Sequence, residues 1–240
     1  MVQACLNGTR MPGAHPCLPI TAADLAADAV AVMAAGATSI HIHVKDGRGR
    51  DTLTAGPLDA ALTAIRDAAP GLPVGVTTGA WAQPLADARV ALIDSWRELP
   101  DFASVNWHED GAERVARTLL ARGVAVEAGL WSPQDVSAWG RSGIRQECVR
   151  VLLELPARDE TVTCRLADFL LAQLDEVGMT VPVLLHGESD SAWPAVRHAV
   201  ARGLETRMGL EDTMESPDGI GAQDNADLVA VVVRLSAAPD

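Results

Sequence analysis

The chain has 240 residues, 48% of them hydrophobic, and a formal net charge of −13. This length suits one domain with a sizeable core. The excess of acidic residues argues against a nucleic-acid partner, because such partners select basic surfaces. The four cysteines show no C-x-x-C spacing, which indicates reduced thiols rather than a disulfide framework. The sequence has no signal-peptide pattern and no apolar run of bilayer length, so we expect a cytoplasmic protein without a membrane partner.

Apolar, strand-like segments alternate with amphipathic helical segments along the chain. The alternation predicts strands that pair in parallel through helical crossovers. Near-continuous apolar strands are typical of a sheet that is buried on both faces. The predicted strands are residues 2–7, 39–44, 73–78, 102–107, 124–131, 151–155, 181–186 and 205–211, and helical patterns cover residues 21–36, 110–123, 191–203 and 224–238.

Eight strand–helix units in about 250 residues match the size of a TIM barrel. The rival architecture is an open doubly wound sheet, which usually carries a glycine-rich phosphate turn after its first strand. Here that turn reads NGTRMPGAHP, which is not G-x-G-x-x-G. The sequence therefore predicts an α/β fold, a single-domain (β/α)8 TIM barrel over residues 1–240.

Polar residues collect where the predicted strands end. In a TIM barrel the active site lies at the carboxyl ends of the strands. Polar groups in a barrel lower its stability unless they are paired or bind a ligand. We expect a site built from this set, whose members are Asn7, His41, His43, Thr77, Thr78, Ser104, Asn106, Glu127, Glu154, His186, Arg207, Glu211 and Asp212.

Two histidines occupy one strand, in the segment TSIHIHVKD. His41 and His43 are two residues apart, so their side chains point to the same face. One interpretation is that both are hydrogen-bonded residues of the core. The other, which we favour because each imidazole needs its own partner, is that they bind a metal together. Two imidazoles and one carboxylate suit a catalytic zinc, and the same donor set also describes non-haem iron sites.

The eighth predicted strand carries the complementary charges. Glu211 is a candidate third metal ligand, or it caps the following turn. Asp212 is a candidate general base, and Arg207 offers a fixed positive charge or a structural ion pair with Asp212 or Glu154. We expect Glu127 and Glu154 to pair with nearby arginines in structural roles.

The chain resembles the β-keto acid cleavage enzymes over nearly its whole length. The resemblance rests on the motifs CLNGTRMPGAHPCLPIT, AAGATSIHIHVKDGRGR, PVGVTTGAW, LPDFASVNWHEDGA, GVAVEAGLW, LLHGESDSAWP and TRMGLEDT. It implies a TIM barrel, usually a homotetramer, that binds zinc through an H-x-H pair and the Glu of a G-x-E-D motif. In this sequence those ligands are His41, His43 and Glu211.

The resemblance also implies a reaction. Family members join a β-keto acid with acetyl-CoA and release acetoacetate and a new acyl-CoA. The catalytic arginine and aspartate of the family match Arg207 and Asp212. The family's hydroxyl on the third strand falls on Thr77, which we expect to take part in catalysis through a hydrogen bond to Asp212, and the one on the fourth strand falls on Ser104.

The substrate-binding residues follow from the same match. Ser104 and Asn106 are expected to orient the carboxylate or the thioester carbonyl, with Asn7 at the end of the first strand. Arg10 falls where the founding enzyme has a glutamate that faces the substrate amino group. Because an arginine repels an ammonium, we expect that an aminated keto acid is not preferred. The chain is also short for the family, and we expect the missing residues in loops and in the carboxyl-terminal tail that contact CoA.

Two other functions fit parts of the sequence. One is a metal-dependent barrel enzyme that does not use CoA, such as a class II aldolase or an iron-dependent oxygenase. The other is a non-catalytic metabolite-binding barrel, which the presence of Arg207, Glu211 and Asp212 disfavours. The identity of the metal and a requirement for CoA distinguish these hypotheses.

Overall fold

The computed structural model describes residues 1–237 and shows a closed barrel of eight parallel strands. Each strand pairs with the next along the chain, and the eighth pairs with the first. The predicted α/β TIM barrel is confirmed. The strands are β1 Val2–Cys5, β2 Ser39–Ile42, β3 Val74–Thr77, β4 Phe102–Asn106, β5 Ala125–Leu130, β6 Arg150–Leu155, β7 Val183–Gly187 and β8 Glu205–Met208.

Helices cover the outside of the barrel and bury its apolar face. The first begins as its sequence predicts, because the Thr21 side chain accepts a hydrogen bond from the Asp24 backbone and Asp24 returns one to Thr21. The last residue of the final predicted helix, 238, lies outside the described residues. The helices are α1 Ala22–Ala34, α2 Ala55–Ala68, α3 Ala86–Asp94, α4 Ala112–Ala121, α5 Pro133–Gly140, α6 Glu160–Glu176, α7 Ala192–Ala201 and α8 Asn225–Ala237, with short 3-10 turns at Arg145–Glu147 and Ser189–Ser191.

The eighth strand ends earlier than predicted. It stops at Met208, and the backbone then turns at Gly209, whose carbonyl accepts hydrogen bonds from the backbone N–H groups of Asp212 and Thr213. A Cβ on Gly209 would lie 1.9 Å from the Cys5 carbonyl oxygen, so only glycine fits there. Glu211 and Asp212 are therefore presented from a tight turn above the barrel.

A polar network fills the amino-terminal end of the barrel interior. Gln3 on β1 donates a hydrogen bond to Glu127 on β5, 2.9 Å away across the barrel. The guanidinium of Arg150 lies 3.2 Å from Glu127 and 2.8 Å from Glu205. This confirms the structural ion pair predicted for Glu127. Among the described residues 1–237, no helix has the length and apolar character that crossing a bilayer requires.

Candidate active site

A cavity of about 150 Å³ opens at the carboxyl-terminal end of the barrel. Strands on all sides contribute to it, as expected for this fold. Most of the polar residues predicted at strand ends line this cavity. The lining residues are Thr9, His41, His43, Thr77, Trp81, Ser104, Asn106, Trp131, Glu154, Leu155, His186, Glu188, Arg207, Glu211 and Asp212.

Three potential metal ligands meet on one wall of the cavity. His41, His43 and Glu211 each offer one ligand atom, and these atoms lie within 4.8 Å of one another. Backbone pairing brings them together. The Cys5 residue of β1 is the register partner of His41 on β2, and the Cys5 carbonyl accepts a hydrogen bond from the Glu211 backbone. Strand β1 thus places the two histidines beside the turn that follows β8.

The donors in this cluster fit a divalent metal. His41 Nδ1 and Glu211 Oε2 are buried and have no hydrogen-bond partner among the described residues. Buried polar atoms without a partner are unfavourable, so a ligand is expected to satisfy them. Burial lowers the pKa of His41 to about 3, although Glu211 opposes this shift. The imidazole is therefore neutral, which is the form that binds metals.

Glu211 is ionised because neighbouring groups lower its pKa. Burial alone raises the pKa of Glu211, but the Arg207 guanidinium and the neighbouring histidines lower it more, to about 2. Arg207 Nη2 lies 2.9 Å from Glu211 Oε1, and that oxygen lies 3.7 Å from His43 Nε2. Two imidazole nitrogens and one anionic oxygen are a donor set that zinc accepts with open positions.

A second group of residues fixes the orientation of His43. Its Nδ1 lies 2.8 Å from Asp51 Oδ2, so Nε2 faces Glu211. Trp81 donates a hydrogen bond to the same Asp51 oxygen at 2.8 Å, and the indole stacks on the His43 ring at 5.8 Å between centroids. Lys45 binds the other Asp51 oxygen. Sequence reasoning did not identify Asp51, Lys45 or Trp81 as site residues.

The structure places Asn7 and Arg10 behind the cavity wall. Asn7 is fully buried; it accepts a hydrogen bond from the His43 backbone at 2.8 Å and donates one to the His43 carbonyl at 2.9 Å. Arg10 donates to the backbone carbonyls of Leu210 and Glu211 and lines a neighbouring cavity. Both side chains hold in position the segments that carry His43 and Glu211, and a direct contact of either residue with substrate stays a prediction.

Arg207 and Asp212 form the expected pair beside the potential metal ligands. Arg207 Nη2 lies 3.3 Å from Asp212 Oδ1, and both side chains are buried. Asp212 Oδ2 has no hydrogen-bond partner among the described residues. One oxygen of this carboxylate is thus held by a cation, and the other is free at the cavity.

Glu154 and His186 occupy the wall that is completed by β6 and β7. The expectation that Glu154 pairs with an arginine is wrong, because its carboxylate lies 3.5 Å from His186 Nε2. His186 Nδ1 in turn lies 3.4 Å from Asp212 Oδ1. The two residues are register partners in the sheet. Their positions at strand ends were visible in the sequence, but their pairing depends on this register.

Thr77, Ser104 and Asn106 line the remaining wall, on β3 and β4. Thr77 and Ser104 are register partners, and Thr77 Oγ1 accepts a hydrogen bond from the Gly79 backbone at 3.1 Å. The predicted hydrogen bond between Thr77 and Asp212 is absent from the described residues, because the side chain of Asp212 bonds only to Arg207. Asn106 donates to Glu109 at 3.0 Å and accepts from the Trp131 indole at 3.3 Å. These predicted residues therefore share the cavity with His41, His43 and Glu211.

Comparisons with known proteins agree with this arrangement. The model of the β-keto acid cleavage enzyme family matches residues 1–239. The 3-keto-5-aminohexanoate cleavage enzyme of Fusobacterium nucleatum subsp. nucleatum is 24% identical over 250 aligned residues, covering 98% of this chain and 90% of that protein. The enzyme of the same name from Acetoanaerobium sticklandii is 22% identical, covering 98% and 91%.

Solved structures share the fold at low identity. An apo structure of ObcA has a TM-score of 0.67 and 18% identity over 91% of this chain and 61% of the ObcA chain. ObcA has also been solved with oxaloacetate, and with a C4-CoA adduct and oxalate. This chain spans about three fifths of the length of those ObcA chains. A type I 3-dehydroquinate dehydratase from Clostridium difficile has a TM-score of 0.64 and 11% identity, covering 98% of this chain and 92% of that one. Because the family model covers almost every residue, the chain belongs to the β-keto acid cleavage enzyme family.

Proposed function

We propose that this protein is a zinc-dependent enzyme that converts a β-keto acid and acetyl-CoA into acetoacetate and a new acyl-CoA. Membership of the family supports the reaction class. The curated relatives, which cleave a β-keto acid by name, support the substrate class. The binding of oxaloacetate and of a CoA adduct by ObcA supports a keto acid and CoA as partners.

The observation that carries the proposal is the juxtaposition of a metal-ligand cluster with an unpartnered carboxylate oxygen. His41, His43 and Glu211 would hold zinc. When bound there, zinc supplies a Lewis acid that polarises the keto oxygen of the substrate. Asp212 Oδ2 is the buried, unpartnered acceptor beside this cluster. Zinc ligands and a free base in one cavity are what carbon deprotonation next to a carbonyl requires.

Each residue of the site has its own role in the proposed reaction. Asp212 Oδ2 removes a proton from the carbon between the keto group and the carboxylate, while Arg207 holds Asp212 Oδ1. The electron pair on that carbon forms a bond to the acetyl carbonyl of acetyl-CoA, and the CoA thiolate leaves. The thiolate then attacks the original keto carbonyl, the carbon–carbon bond to it breaks, and Asp212 returns the proton as acetoacetate leaves. Thr77, Ser104 and Asn106 orient the carboxylate and the thioester.

The test is a panel of neutral, acidic and aminated β-keto acids, assayed with and without acetyl-CoA. We expect acetoacetate and a new acyl-CoA only when acetyl-CoA is present. The Asp212→Asn variant should lose about 10²- to 10⁴-fold in kcat, as expected for loss of a general base, and should keep its zinc.

Asp190→Asn, at an exposed position in the 3-10 turn after β7, is the matched control and should retain activity. Near-parental turnover by Asp212→Asn would remove Asp212 as the base. Cleavage that proceeds equally well without acetyl-CoA would favour a CoA-independent lyase or aldolase instead.

A further inference from the structure

We propose that His186 positions the Asp212 carboxylate as a doubly protonated imidazolium, with its Nδ1–H facing Asp212 and its Nε2–H facing Glu154. The inference rests on the proposed function in so far as Asp212 is the base of that reaction. It assigns a role in the site to residues of β6 and β7, whereas the proposed metal ligands and Arg207 come from β2 and β8 and the segments that follow them.

The geometry places His186 between two carboxylates. Its Nδ1 lies 3.4 Å from Asp212 Oδ1, and its Nε2 lies 3.5 Å from Glu154 Oε2. All three side chains are at least nine-tenths buried. Glu154 and His186 are paired in the register of β6 and β7, so the strands themselves fix this contact. These separations are typical of ion pairs and are longer than short hydrogen bonds.

The chemistry of the neighbours selects the protonation state. An ionised carboxylate only accepts hydrogen bonds, and a neutral imidazole has one donor and one acceptor. A neutral His186 would therefore turn a lone pair toward one of the two anions. Burial and the charge of Arg207 both lower the pKa of His186, but Asp212 and Glu154 outweigh them and leave the pKa raised. The imidazolium turns one N–H toward each carboxylate, at ion-pair distance from both.

The consequence for Asp212 is that its two oxygens become different. Oδ1 faces two cations, Arg207 on β8 and His186 on β7. Oδ2 is buried and has no hydrogen-bond partner among the described residues. Anchoring from two sides prevents the carboxylate from rotating, so Oδ2 stays directed to the cavity. Without His186, only one guanidinium nitrogen would restrain the base.

The first test reads the protonation state directly. Nitrogen-15 NMR of histidine-labelled protein, recorded at about pH 8, should show both ring nitrogens of His186 protonated, although a free histidine is neutral there. The His186→Gln variant assigns the signal. In Glu154→Gln the new amide can donate to Nε2, so this nitrogen should lose its proton while Nδ1 keeps its own. A parental His186 with one unprotonated nitrogen would overturn the proposal.

The second test separates positioning from structure. His186→Gln should lower kcat by about 10- to 100-fold, the effect typical of removing a group that orients a reactive side chain. KM should change by less than about twofold and zinc content should stay the same, because His186 is not a ligand. The kcat of Glu154→Gln should lie between those of the parental protein and His186→Gln. An unchanged kcat in a folded His186→Gln variant would refute the positioning role.

A matched control is the same substitution at another ion-paired histidine. His198 on α7 lies 2.8 Å from Asp168 on the outside of the barrel, and His198→Gln should leave kcat unchanged. The two proposals fail in different ways. A parental protein that turns over no β-keto acid rejects the proposed function, whereas the NMR spectrum alone still decides whether His186 bridges its two carboxylates.

Discussion

At the scale of single residues, the orientation of the His43 ring toward Glu211 depends on the residues that bind its other nitrogen. Asp51 accepts the Nδ1 proton at 2.8 Å and is itself bound by Trp81 and Lys45. A carboxylate behind a metal-ligating histidine fixes the tautomer and raises the basicity of the nitrogen that faces the metal. Asp51 therefore belongs to the proposed metal site although it offers no ligand atom.

Replacing Asp51 tests this role. In Asp51→Asn the amide can still contact Nδ1, but the negative charge is lost and the tautomer is no longer selected. We expect zinc affinity to fall by about 10- to 100-fold, measured by competition with a chelator of known affinity. Asp87→Asn, at an exposed position on α3, is the control and should bind zinc as the parental protein does. Equal affinities for all three proteins would contradict the assignment.

The sequence predicted the ligands better than the residues that support them. His41 and His43 were identified because strand alternation puts both on one face, and Glu211 because its motif follows a strand. Asp51 reaches His43 only because Lys45 and Asp51 pair in an antiparallel bridge within the loop. His186 meets Asp212 because β7 pairs with β8 and Asp212 lies in the turn that follows β8. Such contacts depend on tertiary geometry, which spacing along the chain does not encode.

At the scale of secondary-structure elements, all eight predicted strands are present, because a sheet buried on both faces requires long apolar runs. Their ends were less predictable. β1 stops at Cys5, and Asn7 lies beyond it, where its side chain pairs with the His43 backbone. β8 stops at Met208, and the turn at Gly209 lifts Glu211 over β1. Both strands end before the apolar segments that predict them, and the residues just beyond their ends build the site.

An asparagine at the start of helix α8 hydrogen-bonds to the barrel. The side chain of Asn225 donates to the Leu6 carbonyl at 2.8 Å and accepts from the Leu210 backbone at 2.7 Å. It also donates to Asp28 on α1 at 2.6 Å. Burial raises the pKa of Asp28 to about 7, with Asn225 opposing and Asp224 adding to the shift. This cluster supports the segment that carries Glu211.

The raised pKa of Asp28 makes stability depend on pH. Because the folded state holds the proton up to about pH 7 and the unfolded chain releases it near pH 4, this contribution to stability is lost as the pH rises between those values. Asp28→Asn stays uncharged and can still accept from Asn225. Above pH 7 the variant should be more stable than the parental protein, by on the order of 1–3 kcal/mol, and near pH 4 the two should agree.

Denaturant unfolding of both proteins from pH 4 to pH 8 measures this difference. Asp67→Asn on α2 is a control, because this exposed residue lies away from the cluster. Parallel stability curves for the parental protein and Asp28→Asn would show that Asp28 is not protonated in the folded state.

At the scale of the whole molecule, the two ends of the barrel interior differ in kind. The amino-terminal end is an ion-paired network around Arg150. The carboxyl-terminal end concentrates buried polar atoms that lack hydrogen-bond partners: of twelve such atoms among the described residues, four belong to His41, Arg207, Glu211 and Asp212, and two more are the His186 nitrogens, which lie at ion-pair distance from carboxylates. Such a concentration of unpartnered buried atoms is typical of a ligand site. The homotetramer implied by the family resemblance stays a prediction.

The most direct test of the account is the metal content of the purified protein. Elemental analysis should find about one zinc per chain in the parental protein and none in a His41→Ala, His43→Ala double variant whose fold is intact by circular dichroism. Absence of metal from both proteins, with the fold intact, would contradict the catalytic site described here and would leave the two histidines as polar residues of the barrel.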